Sequence, residues 1–324
     1  MCKSILFGIL ALAMASVLVK AQPVIPLDPT LGEFPEGVAV DKPGNIWVTV
    51  QPLCQVRRYG PDFREDLRVD LVPRPTCLAA NGLAVDANGT AFAAVSGADE
   101  STRGVYRIEP WGQFERLPGT GAIAYPNALA FDRHNGNLYV TDFVRGAIWR
   151  IPHGKPAELW VEGGPLVGNL PLPPGFPPFN YPLGANGIVF DRDHLVVAVT
   201  FAPRLVSIPV NRDGSAGTPV VLAAPPAFLA KQIYSLDGLA IDVHGNFYVA
   251  SPSALSVVRV SSDGSEVAIV ADSAGGVTAC PLSLAFGTGK GNRQSLFITI
   301  NQSLGGSGSG VVRVPAGVPG MPLP

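Results

Sequence analysis

The chain carries little charge for its length. Only 15% of its 324 residues are charged, and 23 basic side chains are nearly balanced by 25 acidic ones. A protein that binds nucleic acid or an anionic membrane through charge needs a basic face, because neutralised phosphates supply much of the affinity. The composition therefore excludes nucleic acid as a predicted partner and gives no electrostatic basis for membrane binding.

Histidine and the common catalytic motifs are also scarce. The four histidines fall in or near predicted hairpin turns on the face opposite to the candidate site, which argues against catalytic roles for them: His134, His153, His194 and His244. The chain has no Gly-x-Ser-x-Gly elbow, and its glycine-rich stretch at 305–310 is not followed by Lys-Ser/Thr. A Ser/His/Asp triad and a phosphate-cradling loop are therefore both without support.

Long amphipathic helical patterns are absent, and a short apolar phrase recurs instead. The six copies are Gly37–Asp41, Gly82–Asp86, Ala128–Asp132, Gly187–Asp191, Gly238–Asp242 and Ser283–Gly287. Each is followed by turn residues and by further alternating segments such as Gln55–Tyr59 and Ala147–Ile151. Several short strands in a repeat of roughly 40–50 residues are typical of a β-propeller. The sequence therefore predicts an all-β fold, a six-bladed β-propeller with four-stranded blades around a central channel, closed by pairing near Val24 and Ile25 with the last blade.

The N-terminus predicts export. A basic start is followed by an apolar run from Ile5 to Val19 and by the boundary Val19-Lys20-Ala21. This pattern is typical of a secretory signal peptide, here residues 1–21, and predicts a secreted or periplasmic protein without a stable membrane span after cleavage. An uncleaved anchor is the alternative, although the run is shorter than a usual span. Residues 22–324 are predicted to form one propeller domain, with a Pro/Gly-rich insertion at about 163–183.

Three cysteines follow the predicted cleavage point. Cys54 is expected between the second and third strands of blade one, and Cys77 in the loop that leads into blade two. Both loops emerge on the same face of a propeller, so a Cys54–Cys77 disulfide is a hypothesis for an oxidising compartment, with Cys280 left free. Three free buried thiols are the alternative, because spacing does not determine connectivity.

The residues that precede the repeated phrases suggest a metal site. In the first five copies these residues are Glu36, Asn81, Asn127, Asn186 and Asp237. Inner strands start on one face of a propeller, so side chains at equivalent starts converge near the axis. Glu36, Asn127, Asn186 and Asp237 would then offer carboxylate and amide oxygens to one divalent cation, Ca²⁺ first, with Mn²⁺ or Mg²⁺ as alternatives and Zn²⁺ less favoured. Asn81 is expected to line the pocket, and Ser283 to take the equivalent place in blade six as a rim residue. The alternative is that Asn and Asp before Gly are ordinary turn formers.

At these residues the chain resembles the six-bladed regucalcin/gluconolactonase group, which includes luciferin-regenerating enzymes and is related to the paraoxonases. The resemblance spans nearly the whole mature chain and is carried by Pro35-Glu36-Gly37, Ala185-Asn186-Gly187, Leu236-Asp237-Gly238 and the segment Pro281–Gly287. It implies that Glu36, Asn127, Asn186 and Asp237 bind one divalent cation. It also implies that Asp237 is the catalytic general base, acting on a water that attacks a lactone carbonyl.

The chain departs from the sugar-lactonase pattern beside Asn127. Those enzymes often carry Arg two residues earlier, where this chain has Tyr125. The predicted pocket mouth is aromatic instead, and the insertion is predicted to form a stiff apolar lid, although it could equally pack across a blade edge. A less polar substrate than a sugar lactone is therefore expected. The residues assigned to the mouth are Tyr125, Phe143, Tyr181, Phe201 and Tyr234.

Three functions remain open from the sequence. The first is a metal-dependent hydrolase of a lactone or related ester with a small-molecule substrate. The second is a metal-assisted biosynthetic enzyme that performs a cyclisation, isomerisation or condensation, as strictosidine synthase relatives do. The third is a non-catalytic binding propeller of the NHL-repeat type, because propellers host many unrelated functions.

Overall fold

Short antiparallel sheets arranged in a ring make up the computed structural model, which describes residues 23–168 and 182–323. Six four-stranded sheets are found in the described residues, so the predicted all-β, six-bladed propeller is confirmed. Blade one consists of β2 (Pro35–Val40), β3 (Ile46–Val50), β4 (Gln55–Tyr59) and β5 (Glu65–Asp70), and blade two of β6 (Cys77–Val85), β7 (Ala91–Gly97), β8 (Gly104–Ile108) and β9 (Phe114–Arg116). Blade three consists of β10 (Pro126–Phe131), β11 (Leu138–Asp142), β12 (Ala147–Ile151) and β13 (Glu158–Glu162), and blade four of β14 (Ala185–Asp191), β15 (His194–Val199), β16 (Arg204–Pro209) and β17 (Val220–Ala223). Blade five consists of β18 (Leu239–Ile241), β19 (Phe247–Ser251), β20 (Ser256–Val260) and β21 (Val267–Ala271), and blade six of β22 (Ala279–Phe286), β23 (Ser295–Gly306) and β24 (Gly310–Pro315), joined by the N-terminal strand β1 (Ile25–Pro26).

Helical structure in the described ranges is limited to short segments between strands. One five-residue α-helix, α1 (Pro225–Leu229), connects blade four to blade five. The remaining segments are single 3₁₀ turns, at Pro29–Leu31, Gln51–Leu53, Thr120–Ala122, Gly164–Leu166 and Pro252–Ala254. No helix in the described ranges has the length and apolar character needed to cross a membrane.

The ring closes as the sequence predicts. Strand β1 pairs with β24, with Ile25 opposite Val311, so the N-terminal strand forms the outer edge of blade six. The Val24 amide donates a 2.8 Å hydrogen bond to the Val311 carbonyl. This pairing joins the two ends of the described chain, and β1 covers the edge that β24 would otherwise expose.

Apolar side chains between neighbouring blades form the core. Six buried clusters are found in the described residues, and each spans one pair of adjacent blades. Trp47 of blade one, for example, packs with Ala91 and Ile108 of blade two. Full burial of one large apolar side chain contributes about 1.5–3 kcal/mol, so each interface strongly resists rotation of a blade. The inner strands are therefore held at fixed positions around the axis.

The aspartates that end four of the repeated phrases, Asp41, Asp86, Asp132 and Asp242, shape the first hairpin turn of their blades. Asp41 Oδ1 accepts hydrogen bonds from the Gly44 and Asn45 amides, at 3.0 and 2.8 Å. Asp242 Oδ1 accepts from the His244 and Asn246 amides in the same way. An Asp side chain that bonds the backbone a few residues on is a standard turn device. These carboxylates are therefore structural, at the end of the inner strands away from Glu36 and Asp237.

The predicted lid falls mostly outside the described residues. Residues 169–181, including Tyr181, and the predicted signal peptide at 1–21 both lie outside them. The two roots of the insertion are packed, because Leu166 and Leu183 are buried. Arg204 Nε donates a 2.7 Å hydrogen bond to the Pro165 carbonyl and so fixes the first root. The lid itself stays a prediction.

Candidate metal centre

A β-bulge interrupts the start of nearly every inner strand. In blade one, Pro35 pairs with Val50 and Val38 with Val48, so Glu36 and Gly37 have no partners in the ladder. A bulge re-aims side chains and is common beside functional sites. The equivalent pairs are Asn81-Gly82, Asn127-Ala128, Asn186-Gly187 and Leu282-Ser283. In blade five, Asp237 and Gly238 come directly before β18.

The second residue of each pair lets neighbouring blades approach closely at this level. A Cβ at Gly37 would lie 2.5 Å from the Asn81 carbonyl oxygen, and one at Gly82 would lie 2.6 Å from the Asn127 carbonyl oxygen. A Cβ at Gly187 would likewise lie too close to the Asp237 carbonyl oxygen. The bulges therefore touch one another around the axis, and they bring Glu36, Asn81, Asn127, Asn186 and Asp237 to equivalent places in one ring.

The blade-six assignment was wrong by one residue. Ser283 stands in register with the small bulge residues, and Leu282 stands where the other blades place acids and amides. The Ser283 hydroxyl accepts a hydrogen bond from the Val38 amide at 3.4 Å, so Ser283 joins blade six to blade one. The error arose because Ser283 begins the repeated phrase, where the other copies have Gly or Ala. The ring therefore has an apolar member in blade six.

A collar of second-strand hydroxyl groups surrounds the ring, and sequence reasoning missed it. Thr49 Oγ1 accepts from the Gly37 amide and donates to the Asn81 carbonyl, both at 2.6 Å. Thr299 Oγ1 accepts from the Ser283 amide at 2.9 Å and donates to the Glu36 carbonyl at 2.6 Å. The signal was an apolar residue followed by Ser or Thr near the end of each second strand. Five buried hydroxyl groups bond bulge residues, those of Thr49, Ser96, Thr141, Thr200 and Thr299. The buried Ser251 of blade five contacts Ser253 instead.

The two carboxylates of the ring are held in an environment that opposes their charge. Burial and the nearby Asp237 raise the pKa of Glu36 well above its usual range. Burial also raises the pKa of Asp237 to about 8, although hydrogen bonds from Asn186 and the Gly238 amide act in the other direction. Glu36 Oε2 is buried without a hydrogen-bond partner among the described residues. A bound cation would compensate both groups.

Asn186 is oriented by its own amide hydrogens. Its Nδ2 donates to Thr200 Oγ1 at 3.1 Å, and the same side chain is hydrogen-bonded to Asp237. Asn186 Oδ1 remains buried and without a partner in the described part of the chain. An unsatisfied buried amide oxygen is costly, so an oxygen in this position requires an explanation. A divalent cation at the axis would supply one.

Asn127 is positioned through a buried acid that the sequence analysis did not single out. Asp142 Oδ2 accepts from the Ala124 amide at 2.8 Å, and Asp142 Oδ1 accepts from the Tyr125 amide at 3.1 Å. These bonds fix the segment that leads into β10 and hence the start of the bulge at Asn127. The sequence gives only a weak signal for the role of Asp142, because this residue is simply the last one of the strand Leu138–Asp142.

The four predicted ligands differ in solvent access. Glu36, Asn127 and Asn186 are buried, whereas Asp237 is partly accessible. Asp237 is therefore the member of this set that can meet a water molecule or a substrate while it stays in the ring.

The residues assigned to the pocket mouth separate into two groups. Tyr125 and Phe143 form a tilted ring pair with centroids 5.9 Å apart, and Tyr234 is 41% exposed. Phe201 is instead 2% exposed and forms an isolated backbone bridge with Ser235. The Phe201 side chain is therefore not part of an exposed rim, and its contact with a substrate stays a prediction.

The cysteines divide into one disulfide and one thiol. Cys54 and Cys77 are bonded at an S–S distance of 1.96 Å, and Cys77 is the first residue of β6 rather than part of the preceding loop. Cys280 is free and buried. Burial, with a further contribution from Asp237, raises the pKa of the Cys280 thiol.

The donor set fits a hard divalent cation. The described part of the chain holds no group of three or more His, Cys, Asp or Glu placed to bind a metal, so any site here depends on amide oxygens. Two carboxylates with amide oxygens and without His or thiolate suit Ca²⁺ better than Zn²⁺. The other end of the axis differs, because a cavity of about 190 Å³ is lined there by apolar residues such as Val40, Phe131 and Met321.

Comparisons with known proteins support the architecture. No protein-family model and no curated protein matches the chain. Among solved structures, a luciferin-regenerating enzyme has a TM-score of 0.66 at 17% identity, covering 93% of this chain and 98% of its own. A gluconolactonase from Xanthomonas campestris has a TM-score of 0.64 at 19% identity, covering 90% of this chain and 88% of its own. A calcium-binding regucalcin from Agrobacterium tumefaciens str. C58 has a TM-score of 0.59 at 16% identity, covering 86% and 85%. These six-bladed propellers fit the resemblance seen in the sequence, and at such identities the shared feature is the fold.

Proposed function

We propose that the protein is a divalent-metal-dependent hydrolase of a lactone or related ester, and that it is secreted or periplasmic. The cation is Ca²⁺, held by Glu36, Asn127, Asn186 and Asp237. The substrate is less polar than a sugar lactone.

The observation that carries the proposal is a pair of acidic side chains in the ring that lack a compensating partner. Asp237 lies near enough to Glu36 to raise the pKa of its carboxyl group, and neither acid forms an ion pair with a Lys, Arg or His of the described residues. Buried carboxylates without a partner are strongly disfavoured. Glu36 Oε2 and Asn186 Oδ1 also lack partners in the described residues. One divalent cation would compensate both carboxylates and satisfy both orphaned oxygens.

The chemistry follows from the different surroundings of the two acids. A divalent cation, when bound, would polarise the carbonyl group of an ester or lactone. Glu36 is buried and serves only to hold the cation. Asp237 is partly accessible, so its carboxylate oxygen can take a proton from an incoming water. The Asn186 side chain, hydrogen-bonded to Asp237, fixes the direction of that carboxylate.

The substrate class rests on what surrounds the ring. Tyr125 replaces the Arg that would anchor a polyhydroxylated or anionic sugar acid, and Tyr125 packs against Phe143. Tyr234 adds an exposed aromatic surface. An apolar rim gains more from burying an apolar substrate than a sugar. The gluconolactonase among the structural neighbours supports lactone chemistry on this scaffold without naming the substrate of this chain.

The location rests on two features. The Cys54–Cys77 disulfide favours an oxidising compartment, where such bonds persist. The N-terminal signal-peptide pattern agrees with export, although it lies outside the described residues.

Metal analysis and a substrate panel test the proposal. Purified mature protein is analysed for bound metal and then assayed against aliphatic lactones, sugar lactones and aryl esters, with and without chelator. We expect one divalent cation per chain, chelator-sensitive hydrolysis and a preference for the less polar lactones. The variants Glu36→Gln and Asp237→Asn should lose both metal and activity. Asp86→Asn is the control matched to Asp237→Asn, because Asp86 is also a half-buried acid but lies in a turn at the other end of the inner strands.

Two results would redirect the assignment. Full metal occupancy in both ring variants would refute the site. Metal binding without hydrolysis of any panel member would favour the biosynthetic alternative, in which the same ring assists a cyclisation, isomerisation or condensation.

A further inference from the structure

Asn81 in blade two is held in the same way as Asn186 in blade four. The Asn81 Nδ2 group donates to Ser96 Oγ at 3.0 Å, and Ser96 is the second-strand hydroxyl of its blade. Asn186 Nδ2 donates to Thr200, the second-strand hydroxyl of blade four. Both asparagines are also the first residue of an inner-strand bulge. Blades two and four therefore each hold an asparagine side chain, and the two side chains have the same arrangement.

Both hydrogens of the Asn81 amide are engaged. One is donated to Ser96, and the other is donated at 2.7 Å to the carbonyl of Pro126, the residue directly before Asn127. This contact places the Asn81 side chain next to the start of blade three, beside the predicted ligand Asn127. With both donors committed to the protein, the amide oxygen is the group left to meet a ligand. Asn81 is 1% exposed, so surface solvation does not account for a polar residue there.

We infer that Asn81 supplies a fifth protein oxygen to the axial cation. The inference rests on the proposed function, since it assumes that the ring binds a metal. Blade six cannot contribute in the same way, because Leu282 occupies its place. The donor set is then two carboxylates and three amides, from five successive blades.

A fifth oxygen changes the choice of metal. Ca²⁺ takes about 6–8 oxygen ligands in flexible geometry, so five protein donors leave room for water or substrate. Mg²⁺ prefers octahedral coordination and keeps several of its waters. A ring with five protein oxygens therefore favours Ca²⁺ over Mg²⁺, and loss of Asn81 should reduce that preference.

Ser96 acts as a positioning residue in this arrangement. It touches Asn81 but is placed on the second strand, one layer from the axis. Outer partners of metal ligands commonly affect affinity by about 10–100-fold. Ser96→Ala should weaken Ca²⁺ binding while every proposed ligand is retained.

Calorimetric titration of the chelator-stripped full chain tests the inference, with Ca²⁺ alone and Mg²⁺ alone as probes. Asn81→Leu should weaken Ca²⁺ binding at least about tenfold and Mg²⁺ binding less. The control is Asn246→Leu, which removes an amide bonded to Asp242 at the opposite end of the inner strands. Circular dichroism without cation establishes that each variant is folded, and Ser96→Ala provides a second test if Asn81→Leu does not fold.

The outcomes separate the two proposals. No cation binding by the wild-type chain would refute the proposed function itself. Binding by the wild type that is unchanged in both Asn81→Leu and Ser96→Ala would overturn only the role of Asn81. Unchanged Ca²⁺ affinity with lost hydrolysis in Asn81→Leu would also overturn it, and would make Asn81 a substrate contact.

Discussion

Thr299 and Glu36 lie 263 residues apart in the chain and are joined by a 2.6 Å hydrogen bond from Thr299 Oγ1 to the Glu36 carbonyl. The same hydroxyl accepts from the Ser283 amide at 2.9 Å. One fully buried side chain therefore connects the last blade to the first at the level of the candidate metal centre. Ring closure and the position of the first-blade acid depend on the same group.

Replacement of Thr299 by Val should destabilise the protein and disturb the site. The change keeps the shape of the side chain but leaves the Glu36 carbonyl and the Ser283 amide without this partner. Buried groups left unsatisfied cost about 1–3 kcal/mol, and we expect a loss of that size in denaturant unfolding. Thr278→Val is the control, because Thr278 bonds the Ser307 carbonyl at a half-buried position. Equal losses in the two variants would contradict a special role for Thr299.

Addition of a methyl group at Gly82 should force two blades apart. A Cβ there would lie 2.6 Å from the Asn127 carbonyl oxygen and 2.9 Å from the Ala128 Cα. Overpacking of this kind costs about 1–3 kcal/mol, and Gly82→Ala should also weaken metal binding because Asn127 must move. Gly275→Ala is the control, because its nearest neighbouring atom would be 3.5 Å away. Thermal unfolding with and without Ca²⁺ measures both effects, and an unchanged metal response would count against the ring geometry.

The metal-free protein should lose stability as the pH rises. The pKa of Asp237 is about 8 in the folded chain against a model-compound value of 3.8, so the native state binds more protons than the unfolded state between these values. The free energy of unfolding must then fall across this window, since its slope follows the difference in bound protons. Urea unfolding in chelator at pH 5 and pH 8 checks the sign.

Two comparisons sharpen the pH experiment. Asp237→Asn should flatten the decline, because the variant carries no titrating group at this position. Saturating Ca²⁺ should oppose the decline, because deprotonated ligands bind the cation better. Stability that rises with pH in the metal-free wild type would show that burial does not dominate at Asp237.

Loss of the Cys54–Cys77 disulfide should lower stability without affecting the metal centre directly. The bond joins residues 23 positions apart, and closing a loop of this size contributes about 3 kcal/mol through the unfolded state. The double variant Cys54→Ser with Cys77→Ser should unfold at lower denaturant and should no longer respond to a reductant. A reductant effect that persists in the double variant would assign the sensitivity to another group.

The repeat in the sequence determined the number of blades, most strand positions and the residues at the start of the first five inner strands. These features are local or periodic. Apolar alternation sets the strands, turn residues set the hairpins, and equal register places Glu36, Asn127, Asn186 and Asp237 at equivalent points of a ring. The resemblance to lactonase-type propellers supplied the chemical role that we propose for that ring.

Tertiary structure alone decided the features that depend on contacts between blades. It placed Leu282 rather than Ser283 in the blade-six position, because the bulge register is set by pairing with the neighbouring strand. It also revealed the hydroxyl collar and turned both hydrogens of the Asn81 amide towards the protein. Such contacts join residues tens to hundreds of positions apart, so no local pattern encodes them. Packing between blades fixes them, since a side chain oriented by a neighbouring blade has no defined direction until the ring is closed.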